Sequence, residues 1–288
     1  FAEKLEESAI SLTTSNGFET FVIELSNLKE QSPKGIELLT ALLKSPNYTQ
    51  DTLNKLKTMQ TGSLKRKEND FDYVANNQLK SVLFKGTTLE NSAAGTIESI
   101  SKIELKDIEN FISQTVCLEN LIIVAGGDFE LKEFEKLVKP LLETLNVGKK
   151  AQLEEVNFIS KKEEKVLIKD TQQAYIYFGS SFNINSKDEE NYKAKVASFI
   201  LGGSGFGSRL MEEIRVKRGL AYSAYGSISI NKSHSYFNGY LQTKNETADE
   251  AKKLVGEIIE DFVKNGVTND ELSAAKNFLT GSEPLRSE

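Results

Sequence analysis

Apolar positions along the chain follow two periods, and the switches between them lay out the elements. Alternation with β-branched residues predicts strands at Ile10–Thr14 and Phe18–Leu25 (FETFVIEL), with SNG between them as a hairpin turn. Helical spacing takes over at Pro33–Lys44, where Pro33 suits a first helical turn. It resumes from Gln50 to Phe84, with a break near Asn69–Asp72. Leu105–Val116 reads as a helix, Asn120–Ala125 as a buried strand, and Leu131–Leu145 as another helix.

The polar stretch Asn146–Glu155 (NVGKKAQLEE) carries no apolar period and reads as a linker. Strands at Lys165–Ile168 and Ala174–Gly179 follow it, then helices at Glu189–Leu201 and Ser208–Arg218. A strand pair, Tyr222–Ile230 and Tyr236–Thr243, leads into two closing helices, Ala248–Lys264 and Asn269–Leu279. The two halves share a pattern. GIELLTALLKSPNYTQDTLNKLK and EAKKLVGEIIEDFVKNGVTNDELSAAKN are each an amphipathic helix, a break, then T-x-D-x-L opening a further helix. Thr49 and Thr268 are the expected N-caps. Strands grouped ahead of helices, twice over, predict an α+β fold of two duplicated domains, 1–145 and 158–288, joined by a linker at 146–157.

Composition narrows the classes. With 288 residues, 39% hydrophobic and 27% charged, the chain has room for two ordinary globular domains. A net charge of −6 with no basic block disfavours nucleic-acid binding. The single cysteine, Cys117, excludes an intrachain disulfide, and its place at the end of FISQTVC predicts burial rather than nucleophilic chemistry. The longest apolar run, LIIVAGG, falls short of a membrane span. Phe1 as a first residue and the ending LTGSEPLRSE lead to the expectation that both termini are missing, so the compartment, periplasm or cytoplasm, stays unassigned.

Candidate chemistry concentrates at Leu201–Gly226. The loop Gly202, Gly203, Ser204, Gly205, Phe206, Gly207 is glycine-rich, yet the preceding KAKVASFIL is helical and no GK[ST] follows. A dinucleotide fingerprint needs a strand there and a P-loop needs the lysine, so neither fits. The loop is either a tight inter-helix turn or an element that packs against or gates a substrate cleft. Arg215 falls in the last turn of a helix that Gly219 ends as a left-handed cap. One reading makes Arg215 a cation opposite the helix dipole. The other lets the turn bring Tyr222 beside it, so that guanidinium and phenol hold one peptide carbonyl. Tyr225, three residues on, belongs to the opposite strand face. His234, alone among polar neighbours (NKSHSY), reads as a solvated turn and makes no zinc site. HxxEH, a nucleophile elbow and a Cys–His pair are all absent from the sequence.

Taken together, ILGGSGFGSRLMEEIRVKRGLAYS, GVTNDELSAAKNFLTG, GFETFVIELS, LLKSPNYTQDTLNKLK and LENLIIVAGGDF span nearly the whole chain. In combination they resemble the insulinase-like zinc metallopeptidases, the group of pitrilysin and mitochondrial processing peptidase. The resemblance implies two homologous α/β-sandwich domains, mostly antiparallel sheet with helices on one face, forming half of a clamshell. It implies a zinc motif, HxxEH, upstream of Phe1, and a third ligand near Met59–Leu64. That window reads MQTGSL, Asn54–Lys67 holds no carboxylate, and Glu68 is the nearest. No metal ligand is therefore assigned in this chain, and zinc is expected on a partner subunit or in the missing N-terminal segment. The implied role is the substrate-gripping subunit of a heterodimeric peptidase. Arg215 and Tyr222 orient the scissile carbonyl of a peptide, and the partner is a homologous zinc-bearing subunit or a second copy. A self-sufficient zinc endopeptidase, or a noncatalytic peptide-binding scaffold, are the alternatives.

Overall fold

The computed structural model describes residues 1–158 and 161–286. The chain divides into two compact units, Phe1–Gly62 with Thr96–Leu153, and Ser63–Gly95 with Glu154–Glu288. Both are α+β. The crossing at 153/154 falls inside the sequence-expected linker at 146–157, whereas the grouping of 63–95 with the later residues has no signal in the local pattern.

In the first unit a short helix α1 (Ala2–Glu7) precedes the hairpin β1 (Ser11–Asn16) and β2 (Phe21–Ser26). The register runs from Ser11↔Ser26 to Asn16↔Phe21. The turn is thus residues 17–20, closed by Gly17 N–H donating to the Thr20 carbonyl at 2.9 Å, and the second strand starts three residues later than expected. Helices α2 (Ser32–Lys44), α3 (Gln50–Lys67), α5 (Ile97–Lys102), α6 (Leu105–Thr115) and α7 (Leu131–Leu142) follow, with α4 (Phe71–Leu83) intervening in the second unit. Pro33 does sit at the start of α2, and Thr49 Oγ1 accepts from Thr52 N–H at 3.2 Å ahead of α3. The core of this unit includes Leu38 and Leu39 of α2 and Val138 and Leu141 of α7. Cys117 is fully buried, as its sequence context suggested, with Asn120 donating to its sulfur.

Two expected strands are not formed. Residues 120–125 and 165–168 have no described strand beside them, and Ile122 and Ile168 stand 82% and 91% exposed. Apolar, β-branched side chains suit a pleated surface, but a strand exists only where another backbone accepts its hydrogen bonds.

The second unit holds a three-stranded antiparallel sheet, β3 (Gln173–Ser181), β4 (Ala221–Ile230) and β5 (Ser235–Lys244), in the order β3-β5-β4. One face is the core. Ala224, Phe237 and Leu241 meet Leu254, Val255 and Ile258 of the helix α10 (Ala248–Asn265). Removing such apolar side chains from water stabilises by roughly 1.5–3 kcal/mol each. α11 (Asn269–Ser282) begins with a capping box in which Thr268 Oγ1 accepts from Glu271 N–H, as the repeat pattern predicted. Helix α4, N-capped by Asp70, packs against β3.

His234 corrects the expectation of a solvated turn. It is only 5% exposed, its ring lies parallel to Tyr236 at 5.6 Å, and it meets Phe84 edge-on. Ser233 and Asn231 serve its two ring nitrogens. The polar sequence neighbours are there to satisfy a buried imidazole, not to hydrate it.

Candidate functional site

Helix α8 (Asn191–Ser198) does not stop cleanly. It widens into a π-turn at Phe199–Gly203, and after the glycine loop the short helix α9 (Arg209–Met211) widens again at Glu212–Val216. Such wide turns displace the chain sideways and recur at functional sites. Gly202 lies against strand β4, and a Cβ added there would stand 2.2 Å from the Gly226 nitrogen. Nearby, Ile228 N–H donates to Ser198 Oγ at 3.1 Å. This stretch of the outer edge of β4 is thus already covered and accepts no added strand.

Past that contact the loop turns outward. Gly205 takes φ +67°, a left-handed conformation suited to glycine, and Phe206 stands 65% exposed. Ser208 then N-caps α9, its hydroxyl donating to the Gly205 carbonyl at 2.7 Å. The helix ends as expected at Gly219, with φ +62°. Gly219 N–H donates to the Arg215 carbonyl and Leu220 N–H to the Ile214 carbonyl, both at 2.9 Å.

This turn sets the side chains. The Arg215 guanidinium lies 4.5 Å from the Tyr222 ring centre and 4.6 Å from that of Phe206. The cation lies against both aromatic rings. Lys217 and Arg218, its alternatives as helix-end cations, both engage Glu213 at 2.6 Å and hold its carboxyl below the usual range. Arg215 forms no ion pair among the described residues. Tyr222 is 80% exposed.

The pairing of β4 with β5 slips between Ala221 and Ser223, leaving Tyr222 as the extra residue of a bulge. From Ser223 onward the register is regular, so Tyr225 lies on the face opposite that of the buried Ala224. Tyr225 opens a ladder across the sheet: Tyr225 and Tyr240 are 5.5 Å apart, as are Tyr240 and Tyr177, each pair in register. Burial, aided by a hydrogen bond to Asp72, pushes the Tyr177 hydroxyl pKa well up, so it stays protonated. Three tyrosines dispersed over 63 positions carry no sequence signal of this ladder.

A second arginine was also illegible. Arg209 Nε and Nη2 bond both oxygens of Glu271 at 2.5 and 2.8 Å, while Nη1 reaches Asp261 at 3.1 Å. Glu271 also closes the cap of α11, and these bonds, that of Arg209 foremost, bring its pKa from 4.5 to about 2. A lowered folded-state pKa stabilises above the unfolded value and the gain is lost as pH falls through the folded one. We expect stability to fall by about 2 kcal/mol from pH 4.5 to 2, allowing for partial exposure. Glu271→Gln should flatten that part of the curve in urea titrations at stepped pH. An unchanged slope refutes the assignment.

The donor set does not fit a zinc ion. Asn54–Lys67, which carries the window expected to supply a ligand, lies on α3 without a carboxylate. No group of three or more His, Cys, Asp or Glu side chains able to hold a metal occurs among the described residues. Among them, no helix is long and apolar enough to cross a membrane.

The family model described as the peptidase M16 inactive domain matches residues 102–279. A Helicobacter pylori protein called a non-peptidase homolog, YmxG, is 46% identical over 100% of this chain, which spans 66% of that protein. A Bacillus subtilis protein called an uncharacterized zinc protease, also YmxG, is 22% identical over 88% of the chain, which covers 61% of it. The crystal structure of a peptidase M16 inactive domain from Pseudomonas fluorescens superposes with a TM-score of 0.91 at 23% identity. The match covers 98% of this chain and 68% of that one.

Proposed function

The chain belongs to the peptidase M16 family, carrying its inactive domain, and from that premise we propose that it is the substrate-gripping, non-zinc-binding subunit of a two-chain zinc peptidase. The observation that carries the reading is the exposed Arg215–Tyr222 pair. An arginine with no carboxylate partner among the described residues, beside a phenol open to solvent, offers N–H and O–H donors to one point. Donors fixed in advance hold a peptide carbonyl and favour the negative charge that develops on it during hydrolysis. The loop Gly202–Gly207 borders this pair and lines or gates the approach of the peptide. Zinc and the activated water come from a homologous partner subunit.

The test is zinc content and hydrolysis of unfolded polypeptide by the full-length protein, alone and mixed with a zinc-bearing homologue from the same cell. The reading requires little metal and little turnover alone, with turnover on mixing. Stoichiometric zinc and activity in the protein alone would identify a self-sufficient endopeptidase. No activation by any zinc-bearing homologue, with peptide still bound, would leave a noncatalytic binding subunit, the role that the name of the Helicobacter pylori relative favours. Tyr222→Phe deletes one donor and keeps the ring against Arg215. It should cost about tenfold in the turnover of the mixture.

A further inference from the structure

Phe206 is the one bulky apolar residue of the glycine loop, and it is exposed, so neither core packing nor hydration explains it. Its ring covers the Arg215 guanidinium at 4.6 Å while Tyr222 lies 4.5 Å from the same carbon. A guanidinium is planar, with five N–H donors along its edge and none on its faces. Rings against it fix the plane of the group without consuming a donor. Arginine otherwise carries substantial rotamer entropy, part of which must be lost each time it binds.

We propose that Phe206 is a positioning residue, which with Tyr222 clamps Arg215 so that its N–H edge is presented, already oriented, to the peptide. Arg215 is the group that touches substrate, an assignment that rests on the function proposed above; Phe206 acts through it. Gly205, at φ +67° with open space around its Cα, and Gly207 on the other side let the loop tip carry the ring over the arginine. The clamp explains why a phenylalanine interrupts a run of small residues.

Two measurements on the whole chain decide it. The first is the Arg215 Nε–Hε NMR signal in wild type, Phe206→Leu and Phe206→Tyr. The ring current of Phe206 should shield the wild-type signal. Leucine should move it toward the position of a free arginine, and tyrosine should restore it. An unmoved signal in the leucine variant overturns the clamp. The second is anisotropy of fluorescein-labelled casein. Leucine should weaken binding about two- to fivefold, the size of an exposed cation–π contact, and tyrosine should recover it. Equal binding by wild type and the leucine variant overturns the positioning role. So does recovery failing with tyrosine, since a general loop defect does not depend on an aromatic face. If wild type and Arg215→Ala both ignore casein, the proposed function falls and the positioning role with it, while the NMR signal still reports whether the clamp exists.

Discussion

Gly202→Val is expected to destabilise the second unit by about 3 kcal/mol or more. The added Cβ would stand 2.2 Å from the Gly226 nitrogen, 2.7 Å from its Cα and 2.8 Å from its oxygen. All three are backbone atoms of β4, held by pairing with β5, so no rotamer change relieves the contact. Gly226 is equally constrained, because its own missing Cβ faces Leu210 and Phe237 at 3.0 and 3.1 Å. The two glycines thus form one close crossing of backbones. Gly256 supplies the contrast. It lies inside α10 with nothing within 4 Å of a built Cβ. Gly256→Ala should stabilise by roughly 0.5–1 kcal/mol through helix propensity alone. Urea titration followed by tyrosine fluorescence is the measurement. Of nine tyrosines only Tyr48 lies in the first unit, so the signal reports the second. A Gly202→Val midpoint equal to wild type would show that the loop does not rest on β4 as described.

Arg215→Ala should do the opposite: keep the fold and remove the function. Its guanidinium is in no ion pair among the described residues and its ring contacts are exposed, so the stability loss should be about 1 kcal/mol or less. Arg209, six residues earlier, is the internal control, since its chelation of Glu271 ties α9 to α11. If the two-chain reading is right, Arg215→Ala lowers turnover of the mixture about a hundredfold, as loss of a preorganised oxyanion donor does. Turnover within a factor of two of wild type would refute the assigned role of Arg215. A large stability loss would instead return Arg215 to the structural reading that its position at a helix end first suggested.

Much of the local structure was legible in the sequence because its causes are local. Periodicity and caps placed α2, α10 and α11, Gly219 ended its helix where a left-handed residue was needed, and the break near Asn69–Asp72 became the Asp70 cap of α4. The contact of Arg215 with Tyr222 across that turn was one of the two readings that their seven-residue spacing offered. Each cause acts over a few residues along one backbone. The tertiary structure decided the rest, because its causes act between distant segments. The apolar runs at 120–125 and 165–168 have no strand among the described residues to pair with. A one-residue slip against β5 leaves Tyr222 as the extra residue of a bulge. His234 is buried by Phe84, 150 positions away, and Arg209 is held by Glu271, 62 positions away. Nothing in the residues beside Gly202 names Gly226 as its neighbour, and nothing beside Phe206 names Arg215. Those contacts exist only once the second unit has packed, and the candidate site is built from them.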